Sequence, residues 1–293
     1  MKIIMDTRHI GLLGVGLAGT ALARRLLEAG YSVSAFDPAP ASAQSFLGDR
    51  VTWCPSELEV VRHCRCILLS LPGPQEVHSV IEIITAHLHP GDILIDTTTG
   101  HPDEVEATAL RLAEQGVCYL DATLGGSSNQ IANGEATIIC GAPADAFAAI
   151  EPLLRCLGAP VFHTGPTGSG TRMKLVLNLV LGLERAVLAE ALEFARHSGI
   201  DPAHALEVLR SGPAYSRVMD TKGEKMLHND FQPQARLAQH WKDVRLMLEC
   251  AGRNGAFLPL TRVHDQLLSV ASESGWGGED NSAIIKVFRA RSA

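Results

Sequence analysis

The sequence predicts an α/β protein in which a doubly wound parallel sheet is followed by an all-helical C-terminal domain. Short apolar runs alternate with helix-like segments from Ile10 to about Phe162, which is typical of strands covered by helices on both faces. After the glycine-rich segment 165–170, helical periodicity continues to the C-terminus without a strand signal. We therefore expect two domains, residues 1–164 and residues 165–293.

Each predicted strand is a short apolar run bounded by turn-forming residues. The predicted strands are 10–13, 32–36, 51–53, 66–71, 93–95, 117–120, 136–139 and 161–162. Amphipathic stretches between them predict helices over 18–29, 75–87, 103–115 and 144–157. Strands and helices that alternate in this way build a sheet with helices on both faces.

Composition excludes several classes of partner. The net charge is -7 and no dense run of Lys or Arg occurs, so neither nucleic acid nor an anionic membrane is expected to bind. The seven cysteines are scattered, which favours buried free thiols in a reducing compartment. The most apolar run, 175–183, contains Asn178 and is too short to span a bilayer. We expect a cytoplasmic protein that acts on a small molecule.

Three glycines mark the turn between the first strand and the first helix. Gly14, Gly16 and Gly19 form the pattern G-x-G-x-x-G. In this context the glycines allow a tight turn, close approach of a pyrophosphate, and close packing of helix on strand. The sequence therefore predicts a Rossmann-type dinucleotide site. Its residues are Gly14, Val15, Gly16, Leu17, Ala18 and Gly19.

Asp37 follows the second predicted strand. A carboxylate at this place accepts hydrogen bonds from the ribose hydroxyls and repels a 2′-phosphate. Residues 38–49 contain no Lys or Arg to bind that phosphate. We expect NAD rather than NADP as the cofactor. The alternative is a solvated Asp that precedes a proline turn.

A polar pair interrupts the apolar helix that begins near residue 172. Lys174 and Asn178 lie four residues apart and therefore on one helix face. Partial burial lowers the pKa of a lysine, so that its amine can exchange a proton with an alcohol or a carbonyl near neutral pH. The alternative is a lysine that extends to solvent and an asparagine that binds a neighbouring loop.

Together these motifs resemble the β-hydroxyacid dehydrogenase family over nearly the whole chain. The segment "IGLLGVGLAGTALARRLLEAGYSVSAFD" resembles its opening fingerprint, and "LLSLPGPQEV" and "DTTTGHP" resemble its cofactor loops. The segment "DATLGGSSNQIANGEATIICG" resembles its substrate signature, and "GSGTRMKLVLN" its catalytic signature. The segments "HWKDVRLMLE" and "GWGGEDNSAIIKVF" resemble its later helices.

The resemblance implies a role for particular residues. Lys174 is the implied general acid and base, and Asn178 positions the substrate beside it. The implied cofactor contacts are Leu71, Pro72, Thr99 and Lys242. The implied substrate contacts are Thr123, Gly125, Gly126, Ser127, Lys174 and Asn178. Spacing alone makes Lys242 and Asp243 an ordinary ion pair on a helix surface, and the family likeness makes Asp243 structural.

Two departures from the family pattern concern the substrate. The serine hydroxyl that the family places on the substrate carboxylate is missing at Gly125, and Ser127, Ser128 and Thr123 are the candidates to replace it. The first of two successive asparagines after the lysine is Leu177 here. The substrate is therefore expected to differ from that of the best-known members.

The sequence thus predicts an NAD-dependent enzyme that transfers a hydride to or from a small 3-hydroxy acid. An imine reductase and a non-catalytic NAD-binding redox sensor are the alternatives, and Lys174 argues against the first. The twelve histidines follow no metal-binding spacing and no serine lies in a G-x-S-x-G turn, so neither a metal nor a serine hydrolase is expected. The family likeness implies a homodimer or a homotetramer built through the helical domain.

Overall fold

The structure, a computed structural model, describes residues 8–39 and 51–291. The chain forms two compact units, Met1–Lys174 and Leu175–Ala293. The division between them falls within the first turns of a long helix. The boundary expected from the sequence lies earlier, before the glycine-rich turn that precedes this helix.

The first unit contains an eight-stranded sheet in the order β3-β2-β1-β4-β5-β6-β7-β8. The strands are β1 (His9–Leu13), β2 (Ser32–Phe36), β3 (Val51–Trp53), β4 (Cys66–Leu69), β5 (Ile93–Asp96), β6 (Cys118–Gly125), β7 (Thr137–Gly141) and β8 (Val161–Gly165). Neighbouring strands are parallel except β6 and β7, which are antiparallel. The expected doubly wound order is therefore present.

The antiparallel pair is one departure from the parallel sheet that the sequence predicts. Only residues 126–136 connect β6 to β7, and they contain a helix of five residues, Ser128–Ala132. A parallel connection needs roughly a dozen or more residues to cross over the sheet, so this short link returns the chain beside β6. Strand β6 was predicted over 117–120 and extends to Gly125 because its later residues pair with β7.

Helices cover both faces of the sheet. They are α1 (Leu17–Glu28), α2 (Glu57–His63), α3 (Pro74–Ile84), α4 (Pro102–Ala113), α5 (Ser128–Ala132) and α6 (Ala144–Leu157), with a 3₁₀ turn at Thr85–His87. Successive side chains of a strand point to opposite faces of the sheet, so each face has its own apolar core. In β4, Cys66 and Leu68 belong to one apolar cluster, and Ile67 and Leu69 belong to the other.

The second unit is helical in the part of the chain that the structure describes. Helix α7 (Ser169–His197) begins in the first unit and continues into the second. It is followed by α8 (Pro202–Ser211), α9 (Arg217–His228), α10 (Leu237–Asn254), α11 (Pro259–Glu273), the 3₁₀ turn Asn281–Ile284 and α12 (Ile285–Arg291). Every helix within the described residues is too short or too polar to cross a membrane.

The cysteines are free thiols, as expected from their spacing. Only Cys64, Cys66 and Cys140 are buried. Burial raises the pKa of Cys66 and Cys140 to about 12, which keeps these thiols protonated and unreactive. They act as small apolar side chains of the core.

Candidate active site

The turn between β1 and α1 leaves open space at one glycine. A Cβ atom added to Gly14 would lie 2.3 Å from the Ser70 carbonyl oxygen, and one added to Gly19 would lie 2.1 Å from the Gly14 carbonyl oxygen. Gly14 also has a φ of +91°, a conformation that favours glycine. A Cβ atom on Gly16 would meet nothing within 4 Å. Gly14 and Gly19 therefore allow the backbone of the turn to pack closely, and Gly16 leaves the outer face of the turn open.

This arrangement fits the pyrophosphate of a dinucleotide. Gly16 precedes α1 and has no side chain with which to cap the first amides of the helix. No acidic residue lies in the first turn of α1, so the positive end of the helix dipole is not neutralised there. Free amides and a helix N-terminus are what an anionic phosphate group needs.

Asp37 closes the turn from the end of β2. Its Oδ2 atom accepts a hydrogen bond of 2.7 Å from the backbone N–H of Val15, and its Oδ1 atom accepts one of 2.8 Å from Ala39. The carboxylate therefore lies beside the glycine turn. Residues 40–50 lie outside the described residues, so the lack of Lys and Arg between residues 38 and 49 is an argument from the sequence alone.

The loops after β4 and β5 are joined next to this turn. The Leu71 amide donates to the Thr98 hydroxyl at 3.2 Å, and the Thr97 hydroxyl donates to the Leu69 carbonyl at 2.7 Å. A Cβ atom on Gly14 would lie 3.0 Å from the Leu71 side chain. The strand ends that carry Leu71, Pro72 and Thr99 are thus gathered at one edge of the sheet.

A buried carboxyl group supports the loop after β5, and sequence reasoning did not single it out. Asp96 accepts hydrogen bonds from the Tyr119 hydroxyl at 2.6 Å and from the Thr98 amide at 2.8 Å. Burial raises the pKa of Asp96 to about 6, because an apolar environment disfavours the charged form. A pocket of about 640 Å³ opens beside Asp96 and is lined also by the first turns of α3 and α4.

Lys174 reaches the end of β6. Its side chain is buried, with 8% of the residue exposed, and its Nζ atom donates a hydrogen bond of 2.6 Å to the carbonyl oxygen of Leu124. Leu124 directly precedes Gly125, where the family pattern places the substrate serine. The structure therefore holds the amine beside the strand end expected to bind substrate.

The hydroxyl groups considered as replacements for that serine are in different environments. Thr123 is fully buried, and its hydroxyl lies 3.3 Å from the carbonyl oxygens of Ile139 and Gly170. Ser127 caps α5 in a capping box with Gln130. Thr123 is thus bonded inside the unit, whereas Ser127 is only half-buried and adjoins Gly126.

Asn178 is held by an aspartate of the second unit. Its Nδ2 atom donates a hydrogen bond of 2.8 Å to Oδ2 of Asp243, and the Lys242 amine lies 3.1 Å from Oδ1 of the same carboxylate. The expected ion pair between Lys242 and Asp243 is present, but Asp243 is buried rather than on the surface. Asp243, which the family likeness made structural, therefore fixes the side-chain amide of Asn178.

A glycine in α7 makes room for two buried histidines that sequence reasoning missed. A Cβ atom on Gly182 would lie 2.4 Å from Nε2 of His240 and 2.6 Å from Cε1 of His264. Burial, followed by the charge of Arg185, lowers the pKa of His264 to about 4. This ring is therefore neutral near pH 7. The lone glycine inside an apolar helix was the available signal.

Two family models match consecutive parts of the chain. The model described as the NAD binding domain of 6-phosphogluconate dehydrogenase matches residues 9–165. The model described as NAD-binding of NADP-dependent 3-hydroxyisobutyrate dehydrogenase matches residues 168–288. Both units are therefore similar to parts of nicotinamide-dependent dehydrogenases.

Several characterised proteins are similar over nearly their full length. L-threonate dehydrogenase of Cupriavidus necator is 32% identical over 286 residues, covering 96% of each chain. 2-(Hydroxymethyl)glutarate dehydrogenase of Eubacterium barkeri is 31% identical, covering 95% of this chain and 94% of the relative. The crystal structure of 3-hydroxyisobutyrate dehydrogenase from Salmonella typhimurium is 25% identical with a TM-score of 0.87, covering 95% of this chain and 99% of that one.

Proposed function

Because the chain belongs to the β-hydroxyacid dehydrogenase family, whose members are NAD(P)-dependent oxidoreductases, we propose that it transfers a hydride between NAD and a small 3-hydroxy acid. Lys174 is the general acid and base in this proposal. The observation that supports it best is the buried Lys174 amine, fixed 2.6 Å from the Leu124 carbonyl at the strand end beside Gly125.

Lys174 moves the proton of the substrate hydroxyl. During oxidation the neutral amine takes this proton while the adjacent C–H bond breaks and the C–O bond becomes a carbonyl. The nicotinamide, when bound, supplies the acceptor for the hydride. During reduction the ammonium group returns the proton to the oxygen.

The residues around Lys174 orient the acid. Asn178 lies one helical turn further along α7, and Asp243 fixes its amide. Gly125, Gly126 and Ser127 are the proposed contacts of the substrate carboxylate. An acid that is bound in one orientation reacts faster, because such positioning lowers the barrier by removing translational and rotational freedom beforehand.

The cofactor is held by the turn 14–19, with Asp37 on the adenosine ribose. Leu71, Pro72, Thr99 and Lys242 are the proposed contacts of the nicotinamide half. A carboxylate at Asp37 favours a free 2′-hydroxyl over a 2′-phosphate, which supports NAD. The family model of the second unit is named for an NADP-dependent enzyme, so both cofactors belong in the assay.

The substrate assay follows from the relatives. Two of them act, by name, on L-threonate and on 2-(hydroxymethyl)glutarate, and these acids join 3-hydroxyisobutyrate, glycerate, 3-hydroxypropionate and 4-hydroxybutyrate as candidates. We expect formation of reduced nicotinamide with at least one of them. Tight binding of NADH with no turnover of any hydroxy acid would instead indicate a redox sensor, and reduction of imines alone would indicate an imine reductase.

A second copy of the chain is the proposed partner, in the cytoplasm. Exposed apolar side chains recur along α7 at Val176, Val180, Val187 and Phe194, which are 54%, 47%, 64% and 73% exposed. Their spacing of four and seven residues keeps them on one stripe of the helix. A two-fold axis places the same stripe on both chains, which supports a homodimer, and two such dimers would form a homotetramer.

A further inference from the structure

The start of α7 is bound to a buried carboxylate of β6. Oδ1 of Asp121 accepts a hydrogen bond of 2.7 Å from the Gly168 amide. Oδ2 accepts one of 2.5 Å from the Thr171 amide and one of 2.9 Å from the Thr171 hydroxyl. Asp121 is fully buried, and hydrogen bonds donated to a carboxylate are stronger than those donated to a neutral acceptor.

Asp121 caps the start of α7, a role that a residue directly before the helix normally fills. The first amides of a helix have no partner inside the helix, and a side chain just before the helix usually accepts from them. Gly168 occupies that place here, with a φ of +92°, and has no side chain. The acceptor is therefore supplied by a different strand, and the helix start is tied to β6.

The surrounding glycines keep this space for the carboxylate. A Cβ atom on Gly141 would lie 2.6 Å from Oδ1 of Asp121, and one on Gly170 would lie 2.9 Å from Oδ2. Any larger residue at either position would push the carboxylate away from the helix. Three separate segments, the middle of β6, the end of β7 and the first turn of α7, are therefore fitted to one another around Asp121.

The same two elements also carry the contact of the proposed catalytic amine. Leu124 is three residues after Asp121 on β6, and Lys174 is three residues after Thr171 on α7. Three residues span roughly 10 Å along a strand and about 4.5 Å along a helix. The long side chain of Lys174 covers the difference and ends at the Leu124 carbonyl. A displacement of the first turn of α7 therefore displaces the Lys174 amine relative to β6.

We propose that Asp121 is a positioning residue for Lys174. By fixing the first turn of α7 against β6, it sets where the Lys174 amine lies beside Gly125. This inference rests on the proposed function, in which Lys174 exchanges a proton with the substrate. Asp121 itself does not touch substrate or cofactor in the proposal.

Asp121→Asn tests the inference in the full-length enzyme. The amide keeps the size of the side chain but presents an N–H group to one of the α7 donors, so the first turn must shift. We expect kcat to fall about 10- to 100-fold, the Kd of NADH to stay within about twofold, and the pH dependence of kcat to shift. Loss of thermal stability alone, with kcat per folded molecule and the pH profile unchanged, would overturn the inference.

Asp103→Asn is the matched control. Asp103 lies 3.3 Å from Arg172, which is also in the first turn of α7, but this ion pair is exposed. Exposed ion pairs of this kind contribute little to stability. We expect the Asp103 variant to keep the wild-type kcat and pH profile. An equal loss of kcat in both variants would show that any change near the start of α7 lowers kcat, and would contradict a specific role for Asp121.

Thr171→Val tests the positioning role of Asp121 if the Asp121 variant does not fold. Valine keeps the shape and the backbone amide bond, and removes only the hydroxyl that donates to Asp121 at 2.9 Å. We expect a several-fold lower kcat with a shifted pH profile, and an unchanged profile would contradict the inference. Lys174→Ala separates the two proposals: if that variant keeps turnover, the proposed function fails, whereas an inactive Lys174 variant beside fully active Asp121 and Thr171 variants removes only the positioning role.

Discussion

The Nζ atom of Lys174 lies 2.6 Å from the carbonyl oxygen of Leu124, so a helix and a strand of the first unit meet at the amine of the proposed catalytic residue. One turn further along the same helix, Asn178 binds Asp243. The two polar side chains between Met173 and Leu183 therefore have specific partners.

Asp37→Ala is expected to weaken NAD binding and to narrow the preference for NAD over NADP. The substitution removes the acceptor for the Val15 amide and the carboxylate that repels a 2′-phosphate. We expect the ratio of kcat/KM for NAD to kcat/KM for NADP to fall by about tenfold, on the order of one charge-assisted hydrogen bond. An unchanged ratio would remove Asp37 from cofactor selection.

Gly182→Ala is expected to destabilise the protein by about 1–3 kcal/mol, a typical cost of overpacking. The new Cβ atom would lie 2.4 Å from the ring of His240. Gly252→Ala is the matched control, because a Cβ atom there meets nothing within 4 Å and alanine favours the helix by up to about 1 kcal/mol. Urea unfolding of both variants checks this, and equal stabilities would argue against the tight contact with the histidines.

Asp96→Asn is expected to change how stability depends on pH. The pKa of Asp96 is raised to about 6 from an ordinary value of 3.8, so protonated Asp96 favours the folded state. That contribution is complete below about pH 4 and is lost as the pH rises through about 6. The variant cannot ionise, and its stability relative to wild type should rise over this window by at most about 3 kcal/mol. If the difference in unfolding free energy between variant and wild type stays constant between pH 4 and pH 7, the raised pKa of Asp96 is contradicted.

Phe194→Glu together with Val187→Glu is expected to produce monomers. Both side chains are exposed on the α7 stripe, and two like charges facing their copies across a two-fold axis would repel. Light scattering after gel filtration measures the mass. Glu190→Gln, also exposed on α7, is the control and should leave the oligomer intact. A monomeric wild-type protein would contradict the proposed interface.

The sequence predicted the sheet well because its strands are buried on both faces. Runs such as Cys66–Leu69 and Ile93–Asp96 are fully buried, so composition alone marks them. Strand β7 was predicted over 136–139, but its antiparallel direction was not, because the direction depends on the length of the preceding link rather than on the residues of the strand. Strand ends were also uncertain: β4 was predicted to Leu71 and ends at Leu69.

The partners of the candidate site could not be predicted in the same way. The polar pair Lys174 and Asn178 stood out because polar residues are rare on an apolar helix. Their acceptors did not, because Leu124 acts through its backbone and Asp243 looked like one half of a surface ion pair. Asp121 was visible only as the first residue of a motif. Which groups they bind depends on distant segments that the fold brings together.

The central claim is that Lys174 exchanges the proton of the substrate, and turnover of Lys174 variants tests it most directly. Lys174→Ala removes the amine, while Lys174→Arg keeps a positive charge that does not give up its proton near neutral pH. We expect both variants to bind NADH with nearly the wild-type Kd and to lose turnover of the best hydroxy acid by about 100-fold or more. A near-normal kcat in the alanine variant, with NADH binding intact, would contradict the account.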